Sequence, residues 1–189
     1  MIEDEPKEKV QEEFSYELRI PKDRVGAVVG KEGVTKKQLE AQTNSKIQIS
    51  EDGDVHILGE DSFSVYLAKE VVRAVGRGFN PITALNLVKT DYTLEVIDLR
   101  HYTGDNKNAL LRLRGRVIGT EGKSRKELEH LAEVNISVYG KTIAIIGSVE
   151  RVTEARRALE LILSGSKHST AYRYLEKKRR DWALEKVKI

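Results

Sequence analysis

Residues 14–20, FSYELRI, alternate polar and apolar side chains with the period of two that a half-buried strand requires. Pro21 follows at a position where its missing N–H costs nothing, which predicts a short helix reaching Val29. After Gly33 the pattern lengthens to that of a helix over 34–43. SKIQIS (45–50) and DVHILG (54–59) read as two strands around the turn EDGD. Residues 60–78 then form a long amphipathic helix with Val65, Ala68, Val72 and Val75 on one stripe, ended by glycines. The predicted order is strand, helix, glycine loop, helix, strand, strand, helix.

The same order begins again at residue 92. YTLEVID (92–98) is a strand, and NALLRLRGRVI (108–118) and SRKELEHLAE (124–133) are helices. NISVYG (135–140) and KTIAIIG (141–147) make a hairpin, and 149–163 close as a long helix with Val152, Ala155, Leu159 and Ile162 aligned. VVGKEGVTKKQLE from Val28 is repeated as VIGTEGKSRKELE from Val117; Leu39 matches Leu128, Ile47 matches Ile136 and, after a one-residue shortening in the hairpin, Gly59 matches Gly147. Order of this kind marks an internal duplication. The expected fold is α+β: two tandem units, each a three-stranded antiparallel sheet packed against three helices, plus a C-terminal helix. Asn80-Pro81 reads as the N-cap and first turn of a linker helix over 82–88. The expected boundaries are an acidic, disordered tail over 1–14, a first unit with linker helix over 15–89, a second over 90–166, and a basic helix over 167–189.

Composition narrows the chemistry. No apolar run approaches the roughly 18 residues of a membrane span, and the acidic start is unlike a signal peptide, so a cytoplasmic protein is expected. It is also expected to be a monomer. With zero cysteines there are no disulfides, thiolate metal sites or cysteine nucleophiles. His56, His101, His130 and His168 are scattered without metal-ligand spacing, and EDGDVH sits where a hairpin turn belongs. No constellation of carboxylates, histidines or nucleotide-binding residues suggests catalysis, so neither catalytic residue, metal nor cofactor is expected.

The net charge is only +3, but it is unevenly placed. Residues 1–14 carry six acids against two lysines, the two repeats sum to +1 each, and 167–189 sum to +5. Lys107, Arg112, Arg114, Arg116, Lys123, Arg125 and Lys126 face only Asp105 and Glu121 within 105–126, around the second glycine loop. Each loop is G-x-x-G: Gly30-Lys31-Glu32-Gly33 and Gly119-Thr120-Glu121-Gly122, preceded by Gly26 and Gly115. Glycines let two helices meet across four residues, and the second helix then offers free N–H groups and its positive dipole end to a phosphate.

IPKDRVGAVVGKEGVTKKQLEAQTNSKIQI (20–49) resembles the KH-domain pattern, and a strand and helix following the core mark its type I arrangement. The resemblance implies that a single-stranded RNA backbone is gripped at each loop while about four nucleotides lie along the adjacent groove. The implied RNA-binding residues are Gly26, Gly30, Lys31, Glu32, Gly33, Lys36 and Lys37 in the first copy. In the second they are Arg114, Gly115, Arg116, Gly119, Thr120, Glu121, Gly122, Lys123, Arg125 and Lys126. More closely, GFNPITALNLVKTDYTLEVIDLRHY, RLRGRVIGTEGKSRKELE, VYGKTIAIIG and LSGSKHSTAYRYLEKKRR are similar to the archaeal form of the KH-domain small-subunit ribosome assembly factors that partner the Nob endonuclease. That resemblance implies a non-catalytic protein of ribosomal RNA maturation, bound near the 3′ end of small-subunit ribosomal RNA, with an endonuclease and pre-ribosomal proteins as partners. The alternative is a scaffold in which one repeat contacts such a protein instead of RNA. Composition and spacing alone stop at single-stranded RNA.

Two departures from the family pattern matter. Lys36 and Arg125 stand where most KH domains place an apolar residue, and are expected to lean toward the RNA groove. The second loop lacks a counterpart to Lys31, for which Lys123, Arg125 and Arg116 are expected to substitute. In the tail, Leu175, Trp182 and Leu184 are expected to dock partly on the second repeat; the other reading is a basic arm that touches RNA phosphate or a partner protein.

Overall fold

The structure, a computed structural model, describes residues 14–187, so the expected acidic tail lies outside the described residues except for Phe14. β1 (Phe14–Arg19), α1 (Lys22–Val29), α2 (Val34–Thr43), β2 (Ser45–Ile49), β3 (Asp54–Gly59) and α3 (Ser62–Gly76) form the first repeat. A linker of α4 (Pro81–Ala84) and a tighter helical turn (Leu85–Val88) leads to the second: β4 (Tyr92–Asp98), α5 (Arg100–Thr103), α6 (Lys107–Ile118), α7 (Lys123–Ala132), β5 (Asn135–Tyr139), β6 (Thr142–Ser148) and α8 (Val149–Leu163). α9 (His168–Val187) closes the chain. Both sheets are antiparallel with the last strand in the middle, in the orders β1-β3-β2 and β4-β6-β5.

The element order expected from periodicity holds in both halves. α5 is an addition that the pattern did not announce. It is held by Asp98, whose Oδ1 accepts the Arg100 backbone N–H at 2.9 Å while the Arg100 guanidinium binds the carboxylate. That hydrogen-bonded cation is the main reason the Asp98 carboxyl falls from 3.8 to about 2. Other starts follow ordinary capping: Asp61 accepts from the Ser64 N–H at 2.8 Å and Asn80 from the Ile82 N–H at 2.9 Å.

The two sheets share a topology and differ in what covers them. In the first, Val55 and Ile57 of β3 face the helices, whereas Glu17, Arg19, Gln48 and His56 make a polar outer face. In the second, Ile143 and Ile145 face their own helices with Leu128 and Leu159. Leu94, Ala144 and Ile146, on the opposite face, pack with Phe79, Ala84 and Leu87 of the linker and join the first repeat's core. A strand buried on both faces reads as a continuous apolar run, which is why TIAII replaces the alternating DVHIL.

Polar contacts lock this arrangement. Ser137 Oγ donates to the Arg77 carbonyl at 2.9 Å. Arg24 donates to the Val75 and Phe79 carbonyls at 2.9 and 2.8 Å, and its guanidinium lies 5.8 Å from the centre of the Tyr139 ring, whose hydroxyl donates to Asp23. Gly78 is a point of close approach. Its φ is +98°, and a Cβ there would lie 2.6 Å from Ser137 Oγ and 2.9 Å from Tyr139 Cβ.

α9 lies against α7 and α8, burying Ala171, Leu175 and Trp182. Leu184 does not dock and is 63% exposed, because two residues beyond Trp182 carry it about 200° round the helix. Trp182 Nε1 donates to Glu150 at 2.6 Å and its ring carries the Arg151 guanidinium at 3.4 Å. Glu154 receives Tyr174 and, at 3.2 Å, Lys178. Burial pushes the Glu154 carboxyl up, but these hydrogen bonds and the Lys178 and Arg157 charges outweigh it and leave the group below its ordinary value.

Candidate nucleic-acid interface

Both glycine loops have the same backbone. Gly30 and Gly119 adopt φ/ψ of 71°/178° and 70°/175°, Glu32 and Glu121 54°/24° and 54°/25°, and Gly33 and Gly122 76°/10° and 76°/11°. The first glycine ends the incoming helix: Gly30 N–H donates to the Gly26 carbonyl at 2.9 Å and Gly119 N–H to Gly115 at 2.8 Å. It must also be small, since a Cβ on Gly30 would sit 2.1 Å from Thr35 Oγ1, and one on Gly119 would sit 2.6 Å from Ser124 Cβ. Glu32 and Glu121 hold a left-handed conformation that costs a non-glycine residue about 1–2 kcal/mol, strain of the kind that collects at functional sites.

α2 and α7 begin directly on Gly33 and Gly122 without a side-chain cap. Their first N–H groups and positive helix ends are therefore presented at the loops, suited to an anionic oxygen. Gly26 and Gly115 differ from the loop glycines. Both are exposed, neither has positive φ, and a Cβ at either would meet nothing within 4 Å. Packing does not require glycine there, although it weakens a helix by roughly 1 kcal/mol relative to alanine. What the two glycines provide is an open strip of helix surface one turn before each loop.

The cations are disposed less simply than their spacing suggests. Lys31, Lys37 and Lys126 are exposed, and Lys123 is exposed with its ammonium 3.7 Å from Glu121. Lys36 and Arg125 lie beside Glu40 and Glu129, at 3.8 and 3.7 Å. Those glutamates also accept the backbone N–H groups of Ile47 and Ile136, each at 2.7 Å, so each brace ties the helix after a loop to the first strand of the hairpin. Sequence reasoning did not assign the glutamates a role; the signal was the Leu-Glu pair recurring in both copies. Arg116 donates to the Ser166 carbonyl at 2.6 Å and its own carbonyl meets His168 Nε2 at 2.8 Å, which fastens it to the tail. Arg114 is half-buried, and its Nε has no partner among the described residues. Of the three cations expected to serve the second loop, Lys123 is the exposed one.

The remaining conspicuous groups have local partners. The EDGD turn pairs Asp52 with Lys22 at 3.0 Å and Asp54 with Arg19 at 3.5 Å, and Gly53 lies where a Cβ would meet the Ile20 carbonyl at 2.2 Å. His130 receives Arg179 at 3.1 Å. No cluster of three His, Cys, Asp or Glu side chains suited to a metal occurs among the described residues, and none of the described helices is long and apolar enough to cross a membrane.

Comparison with known proteins gives these loops a context. Residues 15–74 match the KH domain model, and residues 93–180 match a model described as a eukaryotic-type KH domain, type I, of the second PNO1 repeat. The KH domain-containing protein MJ0443 of Methanocaldococcus jannaschii is 48% identical over 166 residues, covering 86% of this chain and 73% of that protein. The RNA-binding protein pno-1 of Caenorhabditis elegans is 30% identical over 118 residues, 60% of this chain and 42% of that longer protein. Among solved structures, a chain in the crystal structure of the a/eIF2alpha–aDim2p–rRNA complex from Pyrococcus horikoshii OT3 superposes with a TM-score of 0.84 at 40% identity, covering 89% of this chain and 96% of that one. The crystal structure of Dim2p from the same organism gives 0.81 at 41% identity, covering 87% and 99%.

Proposed function

This chain belongs to the tandem KH-domain family that includes archaeal MJ0443 and Dim2p, and from that premise we propose that it is a non-catalytic single-stranded RNA-binding protein of small-subunit ribosome assembly, acting near the 3′ end of the ribosomal RNA. The observation that carries the reading is the pair of G-x-x-G loops with matching dihedral angles, each opening an uncapped helix. A phosphodiester backbone fits such a turn because N–H groups and the dipole converge on one anionic oxygen. The open strips at Gly26 and Gly115 leave room for the nucleotides beside the gripped phosphate. The relative solved with ribosomal RNA supports the choice of target. Lys31, Lys37, Lys123 and Lys126 supply the exposed charge. The protein acts in this reading as a cytoplasmic monomer, with an endonuclease and pre-ribosomal proteins as its protein partners.

Competition binding tests the proposal. An unpaired segment from the 3′ end of small-subunit ribosomal RNA should outcompete both the same segment annealed to its complement and a scrambled strand, because the groove reads exposed base edges. Thr120→Asp with Lys123→Asp should weaken binding more than Lys31→Asp, given the denser positive charge over 105–126. Equal competition by duplex and scrambled RNA would make the protein a general polyanion binder and remove the ribosomal assignment.

A further inference from the structure

α9 sorts its cations by face. Lys178 pairs with Glu154 at 3.2 Å and Arg179 with His130 at 3.1 Å, on the flanks that meet α8 and α7. Arg173, Lys177 and Arg180 lie opposite the buried Ala171, Leu175 and Trp182. All three are exposed, and no carboxylate pairs with them among the described residues. Spacings of four and three residues put them on one line about 10 Å long. From Arg173 to Arg180 no large apolar side chain is exposed, so the stripe offers charge without the hydrophobic anchors an amphipathic peptide would need.

The stripe begins on the end of α9 that is fastened to the helices flanking the second loop. The residues that open α9 are fastened to the helices on either side of that loop by Arg116 on the Ser166 carbonyl, by His168 on the Arg116 carbonyl and by Tyr172, whose hydroxyl donates to Ser124 Oγ at 3.0 Å. Ser124 is the residue against which Gly119 packs, and Arg173 follows Tyr172 directly. We infer that the outward face of α9, through Arg173, Lys177 and Arg180, is a second phosphate-binding surface that holds single-stranded RNA as it leaves the second G-x-x-G loop. The inference rests on the RNA-binding reading above and adds a site outside both grooves. A phosphodiester strand is favoured over an acidic protein because Tyr172, next to Arg173, is tied to Ser124 in the first turn of the helix that opens on the loop.

The test compares RNA lengths. Fluorescence anisotropy would measure the full-length protein on a segment that fills the grooves, and on the same segment extended by unpaired nucleotides at either end. Extension at one end should tighten binding. Arg173→Gln, Lys177→Gln and Arg180→Gln together should abolish that gain, roughly tenfold, and reduce the slope of log affinity against log salt by about 2, near 0.7 for each of three phosphates. The same variant should bind the short segment as the native protein does. Lys177→Gln alone, expected to change the slope by about 0.7, serves if the triple variant unfolds. Unchanged affinity of the triple variant for both extended strands overturns the inference while leaving the proposed function standing; failure of the native protein to prefer the short unpaired segment over its duplex overturns the proposed function and the inference with it.

Discussion

Gly115 occupies the interior of α6 with open space where a Cβ would be, and Gly26 does the same in α1. Gly30 and Gly119, a turn later, are held to glycine by sterics and left-handed geometry. The distinction predicts the effect of alanine at the two open positions. Gly26→Ala and Gly115→Ala should each stabilise their helix by up to about 1 kcal/mol in denaturant unfolding, and should weaken RNA binding because the new methyl enters the open strip. Stabilisation with undiminished affinity would show that the strip is not part of the interface. Glu40 and Glu129 are the other residues whose role appears only at this scale: each joins a cation in the first turn of the helix after a loop to a strand N–H, which gives the charges at Lys36 and Arg125 a partner.

Elements differ in whether their own pattern reveals their burial. α3 and α8 carry clear apolar stripes that match what they bury. α9 is mostly polar, and its docking depends on Ala171, Leu175 and Trp182 together with tethers to Glu150 and Glu154. Leu175 is fully buried and Leu184 is not. Leu175→Ala should therefore cost about 2–5 kcal/mol in equilibrium unfolding, as cavity-forming core substitutions do, whereas Leu184→Ala should stay within about 0.5 kcal/mol. Similar losses for the two would mean that the tail packs through a different face.

At the scale of the whole molecule, the repeats are joined through the second face of the second sheet, and the loops are held in one frame. Gly78 is a tight point of that junction. Gly78→Val should drive the linker away from Ser137 and Tyr139, since both the side chain and the +98° φ oppose it. The expected result is an expanded small-angle scattering profile and separate unfolding of the two halves. A single unfolding transition with an unchanged profile would show that the apolar contacts of Leu94, Ala144 and Ile146 suffice without the close approach.

The duplication, the element order, the two loops and the polarised charge are local or periodic features, so the sequence by itself determined them. Helix and strand periods depend on the spacing of side chains along one segment, and G-x-x-G between two helices depends on four residues. Tertiary structure decided which exposed-looking cations are committed elsewhere. Arg116 turns to Ser166, fifty residues away, whereas Arg125 and Glu129 stand one turn apart on the same helix and only the Ile136 N–H, from the next strand, anchors that pair. It also decided that Leu184 faces water while Trp182 is buried, and that the apolar outer face of the second sheet, already visible in TIAII, receives the linker and first repeat. A side chain's affinity for burial or for an opposite charge is written in its chemistry; the partner that satisfies it is fixed only when distant segments are brought together.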